Sequence, residues 1–166
     1  MASCAALYDL VRIDHFIGVV HYYAIPAGED TAMNGRWLTG PGEKLLEAIG
    51  PTLAGTKIIA EDLGVVTPQV RRLLEKSGYP GMKLMEFAFD SDSTNENLPC
   101  HFEKNMVVYG GTHDNETLAG FFGPGQSRRM LRFARRYLDV SQNVQIPWAL
   151  IRAGYASCAD TVVFQL

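Results

Sequence analysis

Three cysteines in 166 residues, Cys4, Cys100 and Cys158, are too few and too scattered for a disulfide framework. Their number is odd, no two stand at CxxC spacing, and no HxxxH pair accompanies them, so the usual structural zinc patterns are absent. No apolar run approaches the ~20 residues that a membrane-spanning helix needs. Met1 to Leu7 lacks the basic stretch and long apolar segment of a secretory signal. Together these absences make the cytoplasm the expected location and leave a membrane out of the expected partners. Asn115-Glu116-Thr117 fits the glycosylation pattern, which is idle in that compartment. A net charge of -3 and the lack of a serial run of lysine and arginine argue against nucleic acid as a partner. The densest basic segment, Arg128 to Arg136, has helical spacing and reads as a solvated helix face. Repeats, low-complexity tracts and charged linkers are also missing. With 47% hydrophobic and 20% charged residues, the chain has ordinary globular composition rather than that of a disordered one.

What is present is a recurring unit: a short apolar run, a loop, then a helical pattern. The runs are Leu10 to Asp14, Lys57 to Glu61, Met82 to Phe87, Met106 to Gly110 and Thr161 to Leu166. They are near-continuous apolar runs rather than alternating ones, as strands covered on both faces are, so the class is α/β with parallel strands. Thr67-Pro68 predicts the cap and first turn of a helix over Gln69 to Lys76, stopped by Gly78. Ser127 is placed to cap Arg128 to Leu138, and Pro147 to open a helix reaching Gly154. Gly42 to Ile49 reads as a shorter helical turn ended by Gly50-Pro51. The chain starts with an uncapped helix-like stretch and stops inside an apolar run. Both ends therefore read as cuts through a single partial domain, residues 1–166.

The chemistry-bearing residues stand where these runs end. Arg12-Ile13-Asp14-His15-Phe16 and Ala60-Glu61-Asp62-Leu63-Gly64 each put an acid after a strand, and Gly110-Gly111 leads into Thr112-His113-Asp114-Asn115. In β/α barrels the active site is built at the C-terminal strand ends. If the first two runs are neighbours, a strand spacing of ~4.8 Å brings Asp14 and Glu61 close together. Carboxyl groups ~5–5.5 Å apart are the geometry of a retaining glycosidase. Each acid alone has a plainer reading as a turn-former or loop charge, and His113 as a hydrogen-bonded core histidine. A metal-dependent barrel hydrolase ligated by Asp14, His15, Glu61, His113 and Asp114 is a separate reading of the same residues.

The first of these motifs, with Ile25-Pro26-Ala27-Gly28, Asn34-Gly35-Arg36-Trp37 and Gly40-Pro41-Gly42, resembles the amylomaltase family of 4-α-glucanotransferases (glycoside hydrolase family 77). The second motif, Gly81-Met82-Lys83, Phe87-Ala88-Phe89-Asp90 and Thr112-His113-Asp114-Asn115 continue the resemblance in the family's order over essentially the whole chain. It implies part of a (β/α)8 barrel, strands four to eight, and retaining transfer of α-1,4-glucan segments to glucose or glucan acceptors. By the resemblance Asp14 is the nucleophile, Glu61 the general acid/base and Asp114 the stabiliser of the transition state. Arg12, His113 and Asn115 are the implied sugar contacts. Malto-oligosaccharides are the implied partners, with no metal or organic cofactor. Many members have Arg where this chain has Ile17. A chain that resembles only part of the barrel leaves two further readings: an inert fragment, which two open sheet edges would make prone to self-association, and an α-glucan hydrolase.

Overall fold

A computed structural model describes residues 1–53 and 55–165. They form two compact units, Met1–Gly81 and Met82–Leu166. In the first, a helical turn α1 (Ala2–Ala5) precedes β1 (Leu10–Ile13), then β2 (His21–Ala24), β3 (Arg36–Thr39), α2 (Glu43–Ile49), β4 (Lys57–Ala60) and α3 (Pro68–Ser77). β5 (Gly81–Leu84) opens the second, followed by β6 (Met106–Tyr109), α4 (Leu118–Phe121), α5 (Arg128–Tyr137), α6 (Ile146–Tyr155) and β7 (Thr161–Val163).

Parallel pairing carries both units, as continuously apolar runs predict. β1 lies beside β4 with Arg12 opposite Ile59 and Ile13 opposite Ala60. β5, β6 and β7 form one sheet in that order, with β6 and β7 parallel. Ile58, Ile59 and Ala60 are buried in succession, so β4 has no solvent face to fill with polar residues.

Helix α3 forms where its punctuation says it should. The Thr67 hydroxyl accepts the Val70 N–H, Pro68 occupies the first turn, and Gly78 closes the helix at φ 68°. Val70 and Leu73 turn inward, and Leu73 joins Phe16, Val19 and Ala60 in the first unit's core. The second core is aromatic: the Phe89 ring meets Phe122, Phe133 and Tyr137 edge-on at 6.1, 5.5 and 5.7 Å. Burying a side chain of that size contributes about 1.5–3 kcal/mol.

Three expectations need correction. The run Met82 to Phe87 is a strand only to Leu84; Met85–Phe89 is a 3₁₀ turn. Met85, Glu86, Ala88 and Phe89 are all buried there, an inward spacing that alternation along a strand cannot supply. Ser127 does precede α5, but its side chain makes no capping bond. Thr161–Val163 is shorter than the expected run, whose last residue, Leu166, lies outside the described residues. The antiparallel hairpin β2–β3, with Tyr23 opposite Trp37, has no counterpart among the expected runs: its strands are joined by a loop too long to read as a hairpin turn. No helix among the described residues is long and apolar enough to cross a membrane.

Candidate active site

Backbone hydrogen bonds fix the relation of the first two acids. One step beyond the Ile13–Ala60 register, the Glu61 N–H donates to the Ile13 carbonyl at 2.9 Å and the Phe16 N–H donates to the Glu61 carbonyl at 2.7 Å. Asp14 and Glu61 therefore leave neighbouring parallel strands side by side, at their C-terminal ends. The Glu61 carboxylate is held from two loops: the His15 N–H donates to Oε2 at 2.6 Å, and the Leu63 N–H donates to Oε1 at 2.8 Å. Both bonds come from the backbone and aim the carboxyl group without using a side chain.

Asp14 is held differently. Arg12, two residues earlier and on the same strand face, reaches its Oδ1 with Nη2 at 2.5 Å. The aspartate side chain is 75% exposed while the arginine is 25% exposed, so the guanidinium is seated in protein and the carboxylate is offered outward. The chain turns at once after it: His15 sits at φ 49°, in the left-handed region that non-glycine residues seldom occupy. That turn is what brings the His15 N–H onto Glu61. Ile17 is buried.

The third motif lies in the second unit, after β6. Thr112 donates its N–H at 2.9 Å and its hydroxyl at 2.7 Å to the Asn115 side-chain oxygen. The Asp114 N–H in turn donates to the Thr112 hydroxyl at 3.3 Å. Asn115 thus ties the turn closed with its oxygen, and the turn presents His113 and Asp114 to solvent, 73% and 78% exposed and 3.5 Å apart. Among the described residues no group of three His, Cys, Asp or Glu side chains is clustered as metal ligands are.

One acid escaped the sequence reading. Glu86, just past β5, is 0% exposed, and neither carboxylate oxygen has a hydrogen-bond partner among the described residues. Its N–H donates to the Gly110 carbonyl at 3.2 Å, and its carboxylate lies where a Cβ on Gly111 would sit 3.0 Å from Oε1. A side chain at 111 would require that carboxylate to give way by a few tenths of an ångström. Burial, and then the like charge of Glu116, push its pKa from 4.5 to about 7.

A raised folded-state pKa contributes stability that is whole below the unfolded value and is lost as pH rises through the folded one. Glu86→Gln should therefore raise the melting temperature on the order of 5 °C at pH 8 and leave it nearly unchanged at pH 4, below the unfolded value of 4.5. Circular dichroism melts at the two pH values check this; an equal difference at both would contradict it.

Fold and site together define an α/β protein with carboxylates at the C-terminal ends of parallel strands. The family profile described as 4-alpha-glucanotransferase, glycoside hydrolase 77, matches residues 1–166. The chain belongs to that family. It is 41% identical over 161 residues to the 4-alpha-glucanotransferase of Clostridium butyricum, covering 97% of this chain and 33% of that protein. It is likewise 41% identical to the chloroplastic/amyloplastic 4-alpha-glucanotransferase of Arabidopsis thaliana, over 96% of this chain and 28% of that one. The solved amylomaltase of Streptococcus agalactiae in complex with acarbose superimposes with a TM-score of 0.89 at 36% identity, over 98% of this chain and 33% of its own. The chain therefore spans about a third of the length of the relatives it matches.

Proposed function

We propose that these residues serve retaining transfer of α-1,4-glucan segments, within a (β/α)8 barrel of which they form strands four to eight. The observation that carries the reading is the pairing of Asp14 and Glu61 at adjacent strand ends, one ion-paired and exposed, the other clamped by two backbone N–H groups. Asp14 attacks the anomeric carbon as the bond to the departing glycosidic oxygen breaks, and Glu61 gives that oxygen its proton. The product of this step is a glucosyl ester on Asp14. Glu61 then takes the proton from an incoming sugar hydroxyl, whose oxygen displaces Asp14 with net retention. Asp114 favours the flattened, positively charged ring over the relaxed sugar, which lowers the barrier. Arg12 positions Asp14. His113 contacts the sugar, and Asn115 acts there through its amide nitrogen, its oxygen being engaged by Thr112. The reaction as written uses no metal or organic cofactor. The expected compartment is the cytoplasm.

The test is a protein of the relatives' length that contains these residues, with Glu61 replaced by Gln and α-glucosyl fluoride as donor. Fluoride leaves without an acid, so the ester should form and, with no base to release it, persist. Peptide mass spectrometry should find the glucosyl group on Asp14; finding it on another residue would end this assignment. Assaying residues 1–166 alone on maltotriose tests the inert-fragment reading. Replacing sugar acceptors by water as the sole acceptor separates transfer from hydrolysis.

A further inference from the structure

A cleft of about 790 Å³ lies in the first unit, within the size range of small-molecule sites. One wall is a face of the β2–β3 hairpin, bearing His21, Trp37 and Thr39; the other is the loop from β4 into α3, with Val65, and the first turn of α3, with Gln69. His15 reaches its floor. Two features characterise it. None of its lining residues is Asp, Glu, Lys or Arg, so nothing there would compensate a charged ligand. And Trp37, held by edge contacts to His21 at 5.3 Å and to Tyr23 at 5.4 Å, remains 65% exposed.

A large aromatic surface kept in water by a rigid cross-strand pair costs stability that burial would recover. It suits a ligand with an apolar face and an uncharged polar rim. Pyranose rings have both: axial C–H groups on their faces, hydroxyls around the edge. Thr39, Gln69 and the two imidazoles supply donors and acceptors for those hydroxyls. The cleft borders the candidate active site: His15, next to Asp14, and Leu63, two residues after Glu61, both line it.

We infer that this cleft is a binding subsite for an α-1,4-glucan segment, with Trp37 as the platform on which a glucose ring stacks. The inference rests on the proposed action on α-glucans but not on the assignment of the catalytic acids. A segment lying on Trp37 would pass the His15 side of the acids, so the cleft would hold glucose units next to those being transferred and add binding energy at a distance from the reacting bond.

The experiment is titration of residues 1–166 with maltoheptaose, followed by calorimetry and by intrinsic fluorescence in Trp148→Phe, which leaves Trp37 as the sole tryptophan. Maltoheptaose should bind saturably and shift the emission of the Trp148→Phe protein. Cellohexaose, the β-linked counterpart, should do neither. Trp37→Ala should weaken maltoheptaose at least about tenfold, and Trp37→Tyr, which keeps a ring, should stay within about threefold of the parent. If Trp37→Ala does not fold, the emission shift in Trp148→Phe and the affinity of Trp37→Tyr still decide the matter.

No binding by the parent chain, binding unchanged in Trp37→Ala, or equal binding of cellohexaose would each overturn the inference. So would an apolar dye seated in the cleft that maltoheptaose does not displace, which would mark it as a site for an apolar ligand. Saturable binding without a glucosyl ester on Asp14 would remove the catalytic assignment and keep the cleft. An ester without binding at Trp37 would do the reverse.

Discussion

Asp14→Asn, in a protein of the relatives' length, should lower glucan transfer by about 10⁴-fold or more, with little change in the binding of unreacted maltotriose. Removing the nucleophile from a covalent mechanism costs as much as disabling the whole catalytic group, because the other members cannot form the intermediate without it. The amide also loses the charge that pairs with Arg12 Nη2, yet it keeps the size and an oxygen for that contact. Since Asp14 is 75% exposed, little packing is disturbed and the variant should fold. Glu61→Gln should behave differently. General acid–base help is worth about 10²–10⁴-fold, and that is the loss expected with maltotriose as donor. With glucosyl fluoride the first step should recover most of its rate while the second does not, a split that a purely structural role for Glu61 would not produce. Single-turnover measurements with both donors check the pair. Equal losses with the two donors would show that Glu61 holds the loops and moves no proton.

Strand β4 was legible because burial on both faces leaves a continuous apolar signature, Ile58-Ile59-Ala60. Strand β1, whose Leu10 is exposed and whose other residues are half-buried, was legible from its apolar residues and the acid that follows them. Helix α3 was legible because threonine, proline and glycine stand at its ends for separate local reasons, each realised in the structure. The clamp on Glu61 was not, since backbone N–H groups have no letter in a sequence. They became donors because His15 takes up φ 49° and the next loop folds back on its own carboxylate. Glu86 was hidden by the same logic that found the strands. A lone acid inside Met82 to Phe89 reads as one polar step in a strand, and only the switch to a 3₁₀ turn buries it. That interruption of an apolar run by Glu86 was the available signal. The Trp37 cleft was illegible for a third reason: it needs the hairpin, and the hairpin's strands are four residues each across a long loop.

Residues 1–166 alone should self-associate in solution, and Val163→Lys should shift them strongly toward monomer. Among the described residues, β1 has a ladder partner only in β4, and β7 only in β6. Each thus presents one line of backbone N–H and C=O groups with no strand beside it, a template for pairing with another chain. The usual defences are weak on β7: Thr161, Val162 and Val163 include no charge and no proline, and Val163 is 37% exposed. On β1 the exposed residue is Leu10, at 45%, although Arg12 adds one charge. A lysine at an edge opposes pairing because a second strand would have to desolvate it, and two copies would set like charges near each other. Val162 and Phe164 pack on the second unit's core while Val163 is exposed, so the substitution should leave the fold standing, which circular dichroism can verify. Light scattering coupled to size exclusion should give a mass of two chains or more for the parent, falling toward one chain on dilution and in Val163→Lys. A sharp parent monomer at all concentrations would show that the β7 edge is covered in solution.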